Sequence, residues 1–302
     1  MTPDAPGVDR GGFVALVGWT NVGKSTLLNR LVGAELAAVG ASAQTTRQRL
    51  VGVRTFPGRG QLAFVDTPGL HDPRHRMNQA MVEAARRSAA EVDVAVLVID
   101  ASRGIGRGDR RAGALVARTE NRVAVLNKID LIRPRSPLLP MMAELGTSFG
   151  FADVVPVSAA TGEGCDVLLD LLLARLPAEP APYPPDFLTD QPERTLVAEW
   201  IREKLIGVLR EELPHAMAVV VDRWVDAGAD RRVEIDASIF VERDGQKKIV
   251  IGRGGTVLRD VGTAARHEIE RRIDRPVILR LWVRVRGGWR DDVRMLQELG
   301  LA

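Results

Sequence analysis

The sequence is poor in cysteine, in aromatic residues and in long apolar runs. Its 302 residues contain one cysteine, Cys165, which excludes an internal disulfide and a cysteine-based zinc cluster. A single cysteine is also typical of a reducing compartment such as the cytosol. The longest apolar run, Val94–Ile99, is too short to cross a bilayer, and residues 1–12 lack the apolar core of a secretory signal. We therefore expect a soluble, cytoplasmic protein whose contact with a membrane, if any, is peripheral.

The charge of the chain is small in total but unevenly distributed. The formal net charge of +3 does not by itself predict a nucleic-acid partner. Residues 243–294, however, carry 14 Lys and Arg against 7 Asp and Glu, whereas residues 181–242 carry an acidic excess. This distribution favours a local anion-binding face in the last part of the chain. The alternative is that the charges of opposite sign pair in space and cancel.

A proline-rich stretch divides the chain. Five prolines lie between Pro177 and Pro185, a composition that cannot continue a helix or a central strand and that favours an extended spacer. We therefore predict a first domain at residues 1–178, a linker at 179–192 and a second domain at 193–302.

The first domain alternates short apolar strands with helical stretches. This alternation predicts an α/β fold with a mostly parallel sheet that is covered by helices on both faces. The predicted strands are Phe13–Val17, Leu62–Val65, Val94–Ile99, Val123–Leu126 and Val154–Val157. The helical stretches include Lys24–Val32, Asn78–Ala90 and Asp166–Leu176.

The second domain has a different order of elements. A helix precedes two strands, a short apolar run and a Gly-rich turn, and a helix, a strand and a last helical stretch follow. The order predicts an α+β domain. The predicted elements are Arg194–Glu211, Ala216–Trp224, Arg232–Val241, the apolar run Ile249–Ile251, Val257–Ile273, Val277–Val285 and Asp291–Leu299.

The segment Gly18–Ser25 matches the phosphate-loop pattern G-x-x-x-x-G-K-[ST] at every fixed position. It follows an apolar strand and opens a helix, which is the context that the pattern requires. In such a loop the backbone N–H groups surround phosphates, a lysine contacts the β- and γ-phosphates, and a hydroxyl binds Mg²⁺. Lys24 and Ser25 fill the last two roles. The predicted nucleotide contacts here are Gly18, Trp19, Thr20, Asn21, Val22, Gly23, Lys24, Ser25 and Thr26.

Three further segments follow at predicted strand ends. Asp66-Thr-Pro-Gly69 offers a carboxylate to Mg²⁺ and a backbone N–H to a γ-phosphate. In Asn127-Lys-Ile-Asp130, Asp130 can accept the N1–H and 2-amino groups of guanine, which adenine lacks, while Asn127 supports the ring and the Lys128 stem covers it. Ser158, Ala159 and Ala160 can present a backbone N–H to the guanine 6-oxo group.

With these segments the sequence resembles the translation-factor-related GTPases. The resemblance implies that Thr46, within Gln44–Arg47, coordinates Mg²⁺ only in the GTP state, with Thr45 as the alternative. Lys24, Thr46 and Gly69 are the expected catalytic residues, and Ser25, Thr46 and Asp66 the expected metal ligands. Leu70 occupies the position where small signalling GTPases carry a water-orienting glutamine, so we expect slow intrinsic hydrolysis. Asn21 matches a residue that holds K⁺ in several GTPases with such a substitution.

The second domain contains a G-x-x-G segment, Gly252–Gly255, between an apolar run and a helix. In KH domains such a loop clamps four nucleotides, because glycine lets the phosphate backbone approach. The order of elements and the basic excess both favour a type II KH domain. Trp282 and Trp289 are expected to pack within the domain rather than to stack on bases. The predicted RNA contacts are Lys247, Lys248, Gly252, Arg253, Gly254, Gly255 and Arg259.

A phosphate-loop GTPase domain followed by a KH domain resembles the Era family, bacterial GTPases of small-ribosomal-subunit assembly. The late segment Leu281–Trp289 shares this resemblance. It implies the 3′ end of 16S ribosomal RNA and the 30S subunit as partners, and a loose contact with the inner membrane. GTP and Mg²⁺ are the ligands expected from the motifs above, and we expect a monomer. The alternative is a regulatory GTPase whose second domain binds a protein or a membrane, with Gly252–Gly255 as a structural turn.

Overall fold

A computed structural model describes residues 10–39, 49–70, 75–209, 213–226 and 232–301. The chain forms two compact units, and the main boundary falls between Asp190 and Gln191. No helix in the described ranges is both long and apolar enough to span a membrane.

The first unit is built on a six-stranded sheet. Its strands are β1 (Arg10–Val17), β2 (Leu50–Phe56), β3 (Gly60–Asp66), β4 (Val94–Asp100), β5 (Arg122–Asn127) and β6 (Val154–Pro156). Their order is β2-β3-β1-β4-β5-β6, with β2 antiparallel to β3 and the other pairs parallel. The helices are α1 (Lys24–Val32), α2 (Arg76–Ala90), α3 (Arg107–Val116), α4 (Leu138–Phe149) and α5 (Cys165–Arg175). The predicted mostly parallel sheet is confirmed, and β2, α3 and α4 are additional elements that the sequence patterns did not single out.

Burial explains the continuous apolar runs of the central strands. Residues 14–17 of β1 and 94–99 of β4 are all fully buried, so both faces of these strands are covered. Helices α3 and α4 supply Val116 and Leu145 to the core on one face. Helix α1, with Leu27 and Leu28 fully buried, packs on β2 and β3 and contacts α5. The carboxyl ends of the parallel strands are thereby fixed at one edge of a rigid sheet, where the predicted motifs lie.

The proline-rich segment packs on the first unit. The Tyr183 ring stacks on Phe187 with centroids 4.4 Å apart, and both cover the sheet at Val53 and Val65. The Gln61 side chain is held at both ends, because its Nε2 donates to the Tyr183 carbonyl and its Oε1 accepts the Tyr183 N–H. The Val53 N–H donates to the Leu188 carbonyl at 2.8 Å. The sequence predicts a spacer at 179–192, whereas the structure shows that residues 179–190 are paired with and packed against the sheet.

The second unit is a three-stranded sheet with helices. Its elements are α6 (Glu193–Val208), β7 (Met217–Asp226), β8 (Val233–Val241), α7 (Asp244–Ile251), α8 (Thr256–Ile273), β9 (Val277–Val285) and α9 (Val293–Glu298). Strand β8 lies between β7, to which it is antiparallel, and β9, to which it is parallel. The apolar run Ile249–Ile251, predicted without a helix, is the last turn of α7. The Gln246 side chain caps this helix by accepting the Glu242 and Arg243 N–H groups.

Candidate nucleotide and RNA sites

The phosphate loop between β1 and α1 has a backbone that depends on glycine. Gly23, immediately before α1, has φ 94°, a left-handed conformation that side chains disfavour. A Cβ at this position would lie 2.5 Å from Nδ2 of Asn127. Asn21 is left-handed as well, with φ 63°. The loop is therefore wound tightly against the segment Asn127–Asp130, which is predicted to bind guanine.

Lys24 is buried inside this loop. Its Nζ donates to the carbonyl oxygens of Gly18 at 3.1 Å and Trp19 at 2.9 Å. Burial lowers the pKa of Lys24 from 10.5 to about 8, although the Asp66 carboxylate works in the opposite direction. The ammonium group is thus positioned at the centre of the loop, where a phosphate would restore the charge stabilisation that burial removes.

Ser25 and Asp66 form the candidate magnesium site. The Ser25 Oγ lies 3.0 Å from Oδ2 of Asp66, and both residues are buried. Hydroxyl and carboxylate oxygens are the hard ligands that Mg²⁺ prefers, with phosphate oxygens and water completing the octahedron. The Thr67 hydroxyl donates to the Leu16 carbonyl at 2.7 Å and so fixes the turn after Asp66. Thr46, the predicted third ligand, and the segment 44–47 lie outside the described residues.

Gly69 lies directly above the phosphate loop. A Cβ on it would be 3.1 Å from the Thr20 Cα and 3.3 Å from Nζ of Lys24. Leu70, the next residue, is buried, and its N–H donates to the Gly18 carbonyl at 3.2 Å. The structure therefore places Gly69 against the predicted phosphate position. It turns the apolar Leu70 side chain into the core, where it cannot hold a water molecule.

The guanine segments meet the phosphate loop through Asn127. Its Nδ2 donates to the Val22 carbonyl at 2.9 Å, and its Oδ1 accepts the N–H groups of Lys128 and Ala159. The Ser158 hydroxyl lies 2.6 Å from Oδ1 of Asp130. One buried amide thus joins three predicted segments. Asp130 is fixed by one carboxylate oxygen, so its other oxygen can face a base.

Lys128 is held by a residue that the motifs did not reveal. Its Nζ donates to the Asn21 carbonyl at 2.6 Å and to Oδ2 of Asp100 at 2.7 Å. Burial alone would raise the pKa of Asp100, but hydrogen bonds from Lys128 and Ser102 outweigh it and lower the value. Asp100 is the last residue of β4, which pairs with β5, the strand that ends at Asn127. Its position at a strand end is the feature of the sequence that could have identified it as a site residue. The remaining predicted contacts, Thr20, Thr26 and Ala160, lie in the same loops and in the first turn of α1.

The G-x-x-G loop joins α7 to α8. Gly252, Gly254 and Gly255 all have positive φ, at 76°, 61° and 78°. A Cβ on Gly252 would meet Val257 at 2.6 Å, whereas Gly254 and Gly255 face open space. The backbone at the tip is therefore accessible to a phosphate chain, and Gly255 immediately precedes α8, whose N-terminal dipole favours an anion.

The charge pattern of the second unit divides into two parts. Sheet arginines pair with the acidic strands: Arg280 of β9 lies 3.1 Å from Glu234 and 3.2 Å from Asp236. Around the loop, by contrast, Lys247, Lys248 and Arg253 form no ion pair within the described residues, and Arg259 has only an exposed contact of 3.7 Å with Asp260. Charges of opposite sign therefore pair on the sheet, whereas the excess of basic side chains remains around the loop.

A groove of about 390 Å³ lies beside the loop. It is lined by residues of α8 and β9 together with Gly255, and both apolar and basic side chains contribute. Of these lining residues, the sequence predicted only Gly255 and Arg259. Residues 258, 262 and 266 are spaced four apart and so share one face of α8, which is the signal that could have identified them. The lining residues are Gly255, Leu258, Arg259, Gly262, Thr263, Arg266, Leu279 and Leu281.

The two tryptophans of the late segment differ. Trp289 is fully buried and its Nε1 donates to the Ala216 carbonyl at 3.1 Å, as the packing prediction requires. Trp282 is 43% exposed on β9, so the prediction that it packs within the domain is wrong. Side chains alternate along a strand, and Trp282 shares its face with Arg280 and Arg284 rather than with the core residue Val283.

Comparisons with known proteins identify the family of the chain. A family model described as a 50S ribosome-binding GTPase matches residues 13–128, and a KH-domain model matches residues 212–290. A crystal structure of Era in complex with MgGDPNP and nucleotides 1506–1542 of 16S ribosomal RNA is 37% identical, with a TM-score of 0.94 over 97% of this chain and 99% of that one. A point variant of Aquifex aeolicus Era bound to GDP and AlF₄⁻ is also 37% identical, with a TM-score of 0.93 and the same coverage. The chain therefore belongs to the Era family of GTPases.

Proposed function

We propose that this GTPase is a nucleotide-controlled RNA-binding switch in 30S ribosomal subunit assembly. In its GTP form it binds the 3′ end of 16S ribosomal RNA through the KH unit, and hydrolysis releases it. The observation that carries the proposal is the whole-chain similarity to the Era–MgGDPNP–RNA complex, whose two ligands fit the two loops described above. One family model names the 50S subunit, but it matches only residues 13–128, whereas the similarity to Era extends over 97% of the chain.

GTP hydrolysis here depends on position and charge. Lys24 and Gly69 lie at the phosphate loop. The Lys24 ammonium and the Gly69 backbone N–H would stabilise the charge that develops on the γ-phosphoryl group. Ser25 and Asp66 would hold Mg²⁺, with Thr46 as the further ligand of the GTP state. The bound Mg²⁺ would supply positive charge that stabilises the phosphates during transfer.

Intrinsic hydrolysis is slow in this proposal, because Leu70 is buried and has no polar atom to orient water. A cation can supply part of what is missing, and we place K⁺ near Asn21. The assignment rests on the position of Asn21 within the phosphate loop. Hydrolysis measured in equal concentrations of KCl and NaCl tests it, and equal rates would contradict it.

The partner also sets the location. Because 16S ribosomal RNA and 30S subunits are cytoplasmic, we propose that this protein is cytoplasmic. We also propose that it is a monomer and that its contact with the inner membrane is loose and peripheral. Functionally, residues 1–178 are the GTPase domain, 179–192 the connection and 193–302 the RNA-binding domain. Cell fractionation with and without a high-salt wash tests the membrane contact.

RNA binding in the two nucleotide states is the central experiment. Fluorescence anisotropy would measure binding of a 16S 3′-end oligonucleotide and an unrelated RNA to the full chain in GTP-analogue and GDP forms. The test variant combines two substitutions at the loop tip. Arg253→Asp reverses a positive charge, and Gly254→Asp adds a negative one. Gly254 has open space around it and Asp tolerates left-handed backbone, so this change spares the fold. Arg294→Glu is the control, because it reverses an exposed charge on α9.

We expect tight, GTP-favoured binding that the loop variant weakens by about thirtyfold or more and the control hardly changes, with a steep dependence on salt. Equal and weak binding of both RNAs by all proteins would contradict the proposal. That outcome would favour the alternative, a regulatory GTPase whose second unit binds a protein.

A further inference from the structure

Arg30 reaches from the last turn of α1 to the segment Ser158–Ala160. Its Nε donates to the Ala159 carbonyl at 3.1 Å and its Nη2 to the Ala160 carbonyl at 2.7 Å. The loop curls around the guanidinium group, since a Cβ on Gly162 would lie 3.7 Å from Nη1. One edge of the guanidinium group therefore donates hydrogen bonds to two consecutive carbonyls. They belong to the loop that is predicted to bind the guanine 6-oxo group.

The N–H groups of this loop can be accounted for one by one. The Ala159 N–H donates to Oδ1 of Asn127 at 3.0 Å. The Thr161 N–H donates to the Ser158 Oγ at 3.1 Å, and the Gly162 N–H to the Ser158 carbonyl at 2.8 Å. Within the described part of the chain, the N–H of Ala160 donates to no group, and Ala160 is exposed. Ala160 is thus the donor that remains for a ligand.

Peptide geometry connects this donor to Arg30. The Ala159 carbonyl and the Ala160 N–H belong to the same planar trans peptide group and point in opposite directions. When Arg30 holds the oxygen of that group, it also sets the direction of the hydrogen. The neighbouring Asp130, fixed by Ser158, belongs to the same small network, so the two guanine-reading groups have a defined spacing.

We propose that Arg30 is a positioning residue for guanine recognition: it fixes the peptide group whose N–H, that of Ala160, donates to the 6-oxo oxygen. The inference rests on the proposed guanine-nucleotide function and deepens it. This positioning role requires arginine rather than lysine. A planar fork can bind two carbonyls at once, whereas a lysine ammonium is a point charge on a flexible stem.

The test measures nucleotide affinity by calorimetry for the wild type, Arg30→Ala and Arg30→Lys in the presence of Mg²⁺. The ligands are GDP, ADP, 6-thio-GDP and IDP. In 6-thio-GDP a weakly accepting sulfur replaces the 6-oxo oxygen, and IDP lacks the 2-amino group. The matched control is Arg54→Ala, which removes another arginine that donates to a carbonyl of α1, that of Leu31, at 2.8 Å. Thermal unfolding verifies that each variant is folded.

We expect both Arg30 variants to bind GDP about tenfold more weakly, the effect of one imprecisely placed hydrogen bond. Their affinity for 6-thio-GDP should hardly change, so discrimination between oxygen and sulfur is lost, while the ratio of GDP to IDP affinity stays constant. Equal losses for GDP and 6-thio-GDP, or no loss at all, would overturn the inference. A wild type that binds ADP as well as GDP would instead contradict the proposed guanine specificity, independently of Arg30.

Discussion

The chain contains two glycine-rich loops that lead into helices, the phosphate loop and the G-x-x-G loop, and they are built differently. In the phosphate loop, Lys24 is 6% exposed and Gly23 is in close contact with Asn127. In the G-x-x-G loop, Gly254 and Gly255 have no atom within 4 Å of a built Cβ, and Arg253 is exposed. The first loop is in contact with two other segments of its unit, Asp66–Leu70 and Asn127–Lys128, whereas the second is open at its tip.

The difference reflects the two kinds of ligand. A nucleotide is small and must be distinguished from close analogues, which requires fixed donors in a closed, low-dielectric site. A single-stranded RNA is a polymer, and it is bound through its backbone by an open cationic surface beside an apolar groove. The same substitution should therefore have unequal consequences in the two loops.

The largest effect is expected from alanine at matched glycines. Gly23→Ala places a methyl group 2.5 Å from Nδ2 of Asn127 at a φ of 94°, so the loop must shift and its bond to Asn127 must break. We expect GDP affinity to fall at least about 100-fold. Gly254→Ala meets only the strain of a left-handed residue, and RNA affinity should fall by about fivefold or less. Calorimetry and RNA anisotropy measure the two losses, and comparable losses would show that the second loop is as closed as the first.

Removal of the metal should have the next largest effect. In the wild type, EDTA should weaken binding of a GTP analogue, because Ser25 and Asp66 then lack the cation that links them to the phosphates. Ser25→Ala should bind about thirtyfold more weakly in Mg²⁺ and respond little to EDTA, since a charge-assisted contact is lost in both cases. Ser148→Ala on the exposed face of α4 is the control. An undiminished response of Ser25→Ala to EDTA would exclude Ser25 as a ligand.

The next smaller effect is the pH dependence of GDP binding at the phosphate loop. Above pH 8 the free protein loses the proton of Lys24, whose pKa is about 8, and must take it up again to meet the phosphates. GDP binding should therefore weaken with rising pH, by about tenfold between pH 7 and 9. Lys24→Arg should show a flatter profile, because arginine stays protonated. A wild-type profile as flat as that of the variant would mean that the buried lysine keeps its proton without a ligand.

The smallest effect is expected at the open loop. Lys247→Ala and Lys248→Ala should each reduce RNA affinity by about threefold at physiological salt, and each should lower the slope of log affinity against log salt by about one. Arg280→Ala, which removes a sheet arginine paired with Glu234 and Asp236, should leave the slope unchanged. An equal change of slope for all three would mean that RNA contacts the sheet as well.

Local signals were sufficient where one segment determines its own structure. Helix α1 was predicted at Lys24–Val32 and β9 at Val277–Val285, and both bounds match the structure. Helix α7 was missed because its eight residues begin with Asp-Gly and are stabilised by the Gln246 cap and by packing on α8 and β9. Residues 179–190 show the same limit of local signals. Prolines exclude helices and central strands, but they do not reveal that Tyr183 and Phe187 cover a sheet.

The sequence by itself determined the chemistry of this protein: a phosphate loop, a guanine-reading segment and a G-x-x-G loop, each recognisable because its residue types are fixed at short spacings. Only the tertiary structure decided how these parts act on one another. Burial among distant segments lowers the pKa of Lys24, and pairing across strands neutralises the sheet arginines while the loop cations stay available. Arg30 meets Ala159 across 129 positions of sequence. No local pattern contains such a contact, because the packing of helices on the sheet creates it.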